Sequence, residues 1–253
     1  WGARIEGYPM GRLNRRMWLW LKELQGKTRE TFEVNGVTVT IPREADSDLR
    51  YVLEKGRPYE AAEAALISRY LKTGTNVVEL GGCMGVISAV IRNKIGPDAM
   101  HVIVEARHDL AELVKQNATR NVDPAKVEVV EAAIDYSGAE TVSFAVGRNA
   151  HVGRVTQQDS KNSVTVPATT LMEVSKAMGE SRFALVCDIE GAETDLIAHE
   201  SAVFARIDLV ILELHPQQYE AGQRAIDDMI ARLADYGLKL EQQIENVVCF
   251  VRP

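Results

Sequence analysis

Acids stand where five apolar runs of this chain stop. Glu79 precedes Gly81-Gly82-Cys83-Met84-Gly85, and Glu105 follows His101-Val102-Ile103-Val104. Glu131 precedes Ala132-Ala133, Asp188 and Glu190 precede Gly191, and Glu213 lies two residues before His215. Carboxylates accept hydrogen bonds from hydroxyl groups, and a carboxylate or an imidazole can take up a proton. The glycines let the backbone turn sharply and approach a ligand closely, while the helix behind them offers free N–H groups. Glu105 lies about 20 residues beyond Gly85, the distance at which an acid takes the ribose hydroxyls of a nucleotide held at a glycine turn. Ala132 and Ala133 are small enough for a flat ring to lie against the backbone. Gly-x-Gly-x-x-Gly is not formed, which counts against a nucleotide-dependent oxidoreductase. Each group also has a plainer use. Asp188 or Glu190 could cap a helix beginning near Ala192, and His215 could be an ordinary loop residue.

Chemistry at these points requires a scaffold that gathers strand ends. Apolar runs near 76–80, 101–105, 127–131, 184–188 and 209–213 predict strands. Helical patterns fall between them near 85–94, 109–121, 169–178, 192–199 and 218–236. Strict alternation predicts a parallel sheet covered by helices on both faces, with ligands outside the carboxyl ends of the strands. Leu238–Gln243 and Val247–Val251 predict a terminal hairpin, so one strand there runs antiparallel to its neighbour. Thr141–Ala145 and Ser163–Val166 flank a polar stretch, 147–162, and predict an extra hairpin or a mobile loop. Within that stretch, His151–Lys161 could close over a bound molecule.

The N-terminal part differs from the rest. Met17, Trp20, Leu21 and Leu24 follow helical spacing among arginines, which predicts a helix with one apolar face. That face is expected to pack on the main domain or on a second copy of the chain, and a membrane surface is the alternative. Thr31–Val34 and Val37–Ile41 around Asn35-Gly36 predict a hairpin, and Pro58–Leu71 predicts a helix. We therefore divide the chain into an appendage, 1–57, and a main domain, 58–253.

The totals exclude several classes. Hydrophobic residues at 46% and charged residues at 26% of 253 are those of a globular protein. A formal net charge of −7 argues against a general nucleic-acid surface. Cys83, Cys187 and Cys249 show no paired spacing, which makes reduced thiols and a cytoplasmic location the expectation. Metal-ligand spacing of Cys and His is absent, so no zinc site is expected. Asp188 with Glu213 could hold a divalent cation, but the sequence names no third ligand for it. The expectation is no metal.

Glu79-x-Gly81-x-x-x-Gly85 resembles the cofactor loop of class I methyltransferases. More specifically, Asp188-Ile189-Glu190-Gly191-Ala192-Glu193 resembles the Asp-Val-Glu-Gly-Ala-Glu signature of FkbM-type methyltransferases. The Asp-x-Gly-Ala-Asn-x-Gly loop of that family is similar to 79–85, and its Tyr-Glu pair to Tyr59-Glu60. Its Glu-x-His-Pro strand end is similar to 213–216, and its approach to the fourth strand to Pro167–Leu171. The resemblance spans roughly 58–216. This chain departs from the pattern with Glu79 for Asp, Gly82 for Ala, Cys83 for Asn and Cys187 for Lys. Ala106-Arg107-His108 replaces a Pro-Asn-Pro-like turn.

The resemblance implies a Rossmann-like α/β sandwich, with a mostly parallel seven-stranded sheet closed by the antiparallel hairpin. It implies S-adenosylmethionine as cofactor and O-methylation of a sugar or natural-product hydroxyl. Glu60, Glu79 and the loop residues Gly81, Gly82, Cys83 and Gly85 would take the amino-acid end of the cofactor, and Glu105 with Ala106 the ribose. Glu131, Ala132 and Ala133 would lie at the adenine. Asp188 would sit beside the methyl donor, with Glu190 and His215 facing the acceptor. Cys83 is expected to be a small packing side chain rather than a nucleophile. The competing reading is a binding module on a methyltransferase fold that has lost catalysis, marked by Cys83 and Cys187.

Overall fold

The computed structural model of the chain describes residues 11–120, 122–146, 153–156 and 163–253. Its first part consists of α1 (Arg12–Leu24), β1 (Thr31–Val34), β2 (Val37–Thr40), α2 (Ser47–Glu54) and α3 (Ala61–Tyr70). There follow β3 (Val77–Leu80), α4 (Val86–Ile95), β4 (His101–Val104), α5 (His108–Ala118) and β5 (Val127–Val130). A smaller group contains β6 (Ala133–Ile134), β7 (Thr141–Val146), β8 (Gly153–Thr156), β9 (Ser163–Thr169) and α6 (Leu171–Ser175). The chain ends with β10 (Phe183–Cys187), α7 (Glu193–His199), α8 (Ser201–Phe204), β11 (Ile207–Glu213), α9 (Gln223–Asp235), β12 (Lys239–Ile244) and β13 (Val247–Val251).

The central sheet has seven strands in the order β12-β13-β11-β10-β3-β4-β5. Strands β11, β10, β3, β4 and β5 are parallel, while β13 runs antiparallel to both β11 and β12. The predicted terminal hairpin is therefore present, and its second strand is the one inserted beside β11. Residues of β3, β4 and β10 are buried throughout, as strands covered on both faces must be. From β3 the chain proceeds outward through β4 and β5, then returns to β10 on the other side. That reversal puts the switch point, where open α/β sheets bind ligands, between the ends of β3 and β10.

A second sheet, β6-β9-β7-β8, stands over the carboxyl ends of the main one. Its β7–β9 pairing is the predicted antiparallel contact. Apart from β8, the polar stretch 147–162 lies outside the described residues.

The N-terminal hairpin turns at Asn35 and Gly36, both with positive φ, as a two-residue turn of this hand requires. Phe32, Val39, Ile41 and Leu49 share one core with Leu66, Ile91 and Val186, so packing is continuous across the 57/58 boundary. Helix α2 spans only two turns and left no readable period in the sequence. Asp46 starts it by accepting from the amides of Asp48 and Leu49.

Helix α1 forms as predicted, but its apolar stripe does not pack on the described residues of the chain. Met17, Trp20, Leu21 and Leu24 are between 45% and 65% exposed. The opposite face docks instead, through Arg15 to Asp48 at 3.2 Å, Lys22 to Glu54 at 2.5 Å, and Trp18 edge-on to Tyr51. Acids of α2 claimed the basic face, which left the apolar face outward. No helix among the described residues is long and apolar enough to cross a membrane.

Candidate functional site

At the switch point lies a cleft between the glycine turn and the ends of β4 and β10. Its walls include Glu60, Gly81, Cys83, Glu105, Ala106 and Ala133 from the predicted cofactor set, and Asp188 with Glu190 from the predicted catalytic set. A smaller adjoining cleft is lined by Glu79, Gly82 and again Glu60 and Asp188. Gly85, Glu131, Ala132 and His215 are on neither wall.

The glycine turn is built for close approach. A Cβ on Gly81, where φ is +91°, would stand 1.9 Å from the carbonyl oxygen of Asp188. A Cβ on Gly82 would meet Ile103 and Val114, and one on Gly85 would meet Val114 and Asn117. Asn117 is buried and donates to the carbonyls of Met84 and Thr40, tying the turn to β2. Cys83 holds φ at +48°, in the left-handed region that Asn tolerates better than Cys. That accounts for the family's Asn at this point. Burial, then the charges of Glu60, Glu105 and Asp188, push the Cys83 thiol well above its ordinary range, which keeps it protonated.

Glu105 is buried at the end of β4, where one carboxylate oxygen accepts from the amide of Cys83 at 2.7 Å and the other from Arg107 at 2.9 Å. Burial raises its pKa to about 7, against the lowering effect of those two amides. Acid and loop are thus one unit. Glu60 enters the cleft from the left-handed start of α3, and Asn35 holds that start by donating to the carbonyl of Tyr59 at 2.7 Å. Glu131 points elsewhere and pairs with exposed His108 at 2.6 Å. Of the three residues expected at the adenine, only Ala133 lines the cleft.

Glu79 reaches the smaller cleft only from within the core. Ser88 donates to one of its oxygens at 2.9 Å, and Nε2 of fully buried His101 lies 2.9 Å from the other. Burial lifts the acid to about 8 and lowers His101 to about 3. At neutral pH the pair is therefore a carboxylic acid beside a neutral imidazole. Instead of a free carboxylate, Glu79 gives the turn a rigid, uncharged support.

The opposite wall gathers four carboxylates around one imidazole. Nε2 of His215 lies 3.3 Å from Asp188, 3.5 Å from Glu190 and 3.7 Å from Glu213, and Nδ1 lies 2.9 Å from Glu193. The register explains the meeting. Cys187 of β10 pairs with Leu212 of β11, so Asp188 and Glu213 leave adjacent strands side by side. Burial alone would lower the pKa of His215, but Asp188 and Glu193 outweigh it and raise the group to about 10. Asp188 and Glu190 do not cap α7, whose N-terminus has no side-chain cap. Glu190 instead holds a left-handed φ of +53°, an uncommon conformation for a glutamate that is found at functional sites. His215 is 3% exposed and stands behind Asp188 and Glu190, so it positions them rather than facing the cleft.

Several contributors escaped the sequence reading. Arg107, Phe144 and Val155 line the cleft, the last two from the second sheet. Glu193, fully buried, accepts from the amides of Ile189 and Gly191 and from the Tyr219 hydroxyl. Its place in the Asp-x-Glu-Gly-Ala-Glu signature was the available signal.

The sheet order, glycine turn and strand-end acid together define a Rossmann-like methyltransferase fold. The family model of the methyltransferase FkbM domain matches residues 85–240, and the chain belongs to that family. No curated protein matches it. Among solved structures, it is similar to a methyltransferase from Pyrococcus furiosus at 12% identity and TM-score 0.44, covering 95% of this chain and 98% of that one. It is also similar to Aeropyrum pernix fibrillarin in complex with natively bound S-adenosyl-L-methionine, at 15% identity and TM-score 0.42, covering 76% and 73%. A protein of the NADB-Rossmann superfamily from Streptococcus agalactiae gives 9% identity and TM-score 0.46, covering 75% and 67%.

Proposed function

We propose that this chain transfers a methyl group from S-adenosylmethionine to a hydroxyl oxygen of a small molecule, a sugar or natural-product alcohol. One observation carries the reading: a single cleft joins the glycine turn and Glu105 at one end to Asp188 and Glu190 at the other. At Gly81 the turn lies so close to the Asp188 carbonyl that no Cβ fits between them, which fixes the glycine turn against the end of β10. Glu60, Glu105 and the backbone surface of the turn would hold the cofactor. When bound, it supplies an electrophilic methyl carbon on a sulfonium.

The chain's own residues then align and deprotonate. Holding the acceptor oxygen in line can be worth several powers of ten in effective concentration. Glu190, on the wall of the cleft, takes the hydroxyl proton as the oxygen–carbon bond forms and the sulfur–carbon bond breaks. His215 and Glu193 fix the wall from behind.

A panel of hydroxylated, amine and thiol acceptors, assayed with a labelled methyl donor, tests the reading. Label on hydroxyl compounds is the expected result, and label on amines or thiols alone overturns O-transfer. Glu190→Gln should lower kcat by about 100-fold, the usual scale for losing a general base, while leaving S-adenosylhomocysteine affinity within about twofold of the parent. An unchanged kcat removes Glu190 as the base.

A further inference from the structure

We propose that Asp188, Glu213 and His215 form a divalent-cation site at the acceptor end of the cleft. Binding of the cation follows from these residues alone; its role in activating a hydroxyl rests on the methyl-transfer reading above.

Three observations converge. One oxygen of Asp188, one of Glu213 and one ring nitrogen of His215 lie within 4.8 Å of one another. Ligands about 2.1 Å from a metal stand about 3 Å apart when adjacent and about 4.2 Å apart when opposite. The three groups are close enough to share one ion with a small inward shift, and the ion's other positions stay open.

The second observation is the orientation of the imidazole. Nδ1 is engaged by Glu193 at 2.9 Å, and Glu193 is itself held by two backbone amides and the Tyr219 hydroxyl. Nδ1–H donated to a fixed carboxylate is the arrangement by which proteins orient metal-bound histidines, and a cation at Nε2 would displace the proton that this nitrogen carries while His215 is charged. Nε2 is buried, makes no hydrogen bond among the described residues, and points at the oxygens of Asp188, Glu190 and Glu213. Asn246 donates to Glu213 at 2.8 Å and fixes that carboxylate as well.

The third is charge. Four carboxylate side chains lie within 3.7 Å of one imidazole. A divalent ion is drawn to such an acidic cluster. It would enter through the cleft, because Asp188 and Glu190 lie on its wall, with Glu213 and His215 as a buried floor behind that wall. One imidazole with two carboxylates favours a first-row ion such as Mn²⁺ over Ca²⁺, which prefers oxygen alone. Open positions on the ion would take the acceptor hydroxyl and lower its pKa.

The full chain, stripped with a chelator, is titrated with Mn²⁺ by calorimetry and by electron paramagnetic resonance. The expected result is one bound equivalent and a raised Tm that chelator reverses. Asp188→Asn, Glu213→Gln and His215→Gln should each weaken binding by tenfold or more, and Glu193→Gln by about tenfold, the usual effect of losing an outer-shell partner. Circular dichroism establishes that each variant is folded, and Asp188→Asn serves as the test if a floor variant does not fold. No binding at millimolar Mn²⁺, or binding unaltered in both Asp188→Asn and Glu213→Gln, overturns the site. S-adenosylhomocysteine is titrated separately. If it binds and Mn²⁺ does not, the cation site alone fails; if it does not bind, the methyl-transfer reading fails.

Discussion

The two walls of the cleft are built by opposite means. The wall at β3 and β4 is local and mostly backbone: a turn of seven residues, 79–85, locked by one carboxylate from the next strand. The wall at β10 and β11 is made of side chains converging on His215 from strand ends and loops. A backbone wall recognises a ligand shape common to many enzymes and admits little change. A side-chain wall concentrates charge and can be altered residue by residue, which suits the end that meets a particular acceptor. The cofactor end should therefore break through sterics, and the acceptor end through charge.

Gly81→Ala tests the rigid wall most severely. Its Cβ would stand 1.9 Å from the Asp188 carbonyl oxygen, at a φ that disfavours any side chain. We expect a loss on the order of 4 kcal/mol by denaturant unfolding; a loss below about 1 kcal/mol would show that this wall yields.

Glu79→Gln examines the buried support behind the turn. The Glu79 pKa is raised to about 8, so the folded state binds its proton more tightly than the unfolded chain does. Its contribution to stability is fully present below the ordinary carboxylate range and declines as pH rises toward 8. Glu79→Gln removes that decline, and at pH 9 it should be more stable than the parent by a few kcal/mol. Parallel stability curves for parent and variant would reject the assignment.

Glu105 links stability to binding. Its pKa of about 7 means that an ionised acceptor for hydroxyls is lost as pH falls through neutrality. S-adenosylhomocysteine affinity should fall by about tenfold per pH unit at most below that point, and Glu105→Gln should flatten the profile. A pH-independent parent would contradict the ribose assignment.

Cys83→Asn is the mildest change. At φ +48° the family's Asn should relieve strain and stabilise the fold by about 0.5 kcal/mol. Destabilisation beyond 1 kcal/mol would mean that the thiol packs better than its backbone suggests.

The contrast between the walls also explains what the sequence revealed. Residues 79–85 and Glu105 were legible because their chemistry follows from spacing along the chain, and strand ends were legible because apolar runs stop there. The parallel sheet and antiparallel hairpin followed from alternation and the final two strands, whereas the strand order had no local signal. Asp188 and Glu213 were paired as strand-end acids, but their common approach to His215 depends on the β10–β11 register, which no local pattern displays. The sequence reading therefore found no third cation ligand, although His215 was named for another role. Glu131 was placed by strand-end logic, but the chain turns there and its carboxylate pairs with His108 instead. In α1 the apolar period was readable, whereas the neighbour was not: Asp48 and Glu54 on an unanticipated helix drew the basic face inward.

Calorimetric titration of S-adenosylhomocysteine into the parent chain and Glu105→Ala at pH 8 tests the central claim most directly. The account predicts one-to-one micromolar binding to the parent, weakened at least tenfold in the variant. A folded parent that binds no S-adenosylhomocysteine, or a variant that binds it equally well, would contradict it.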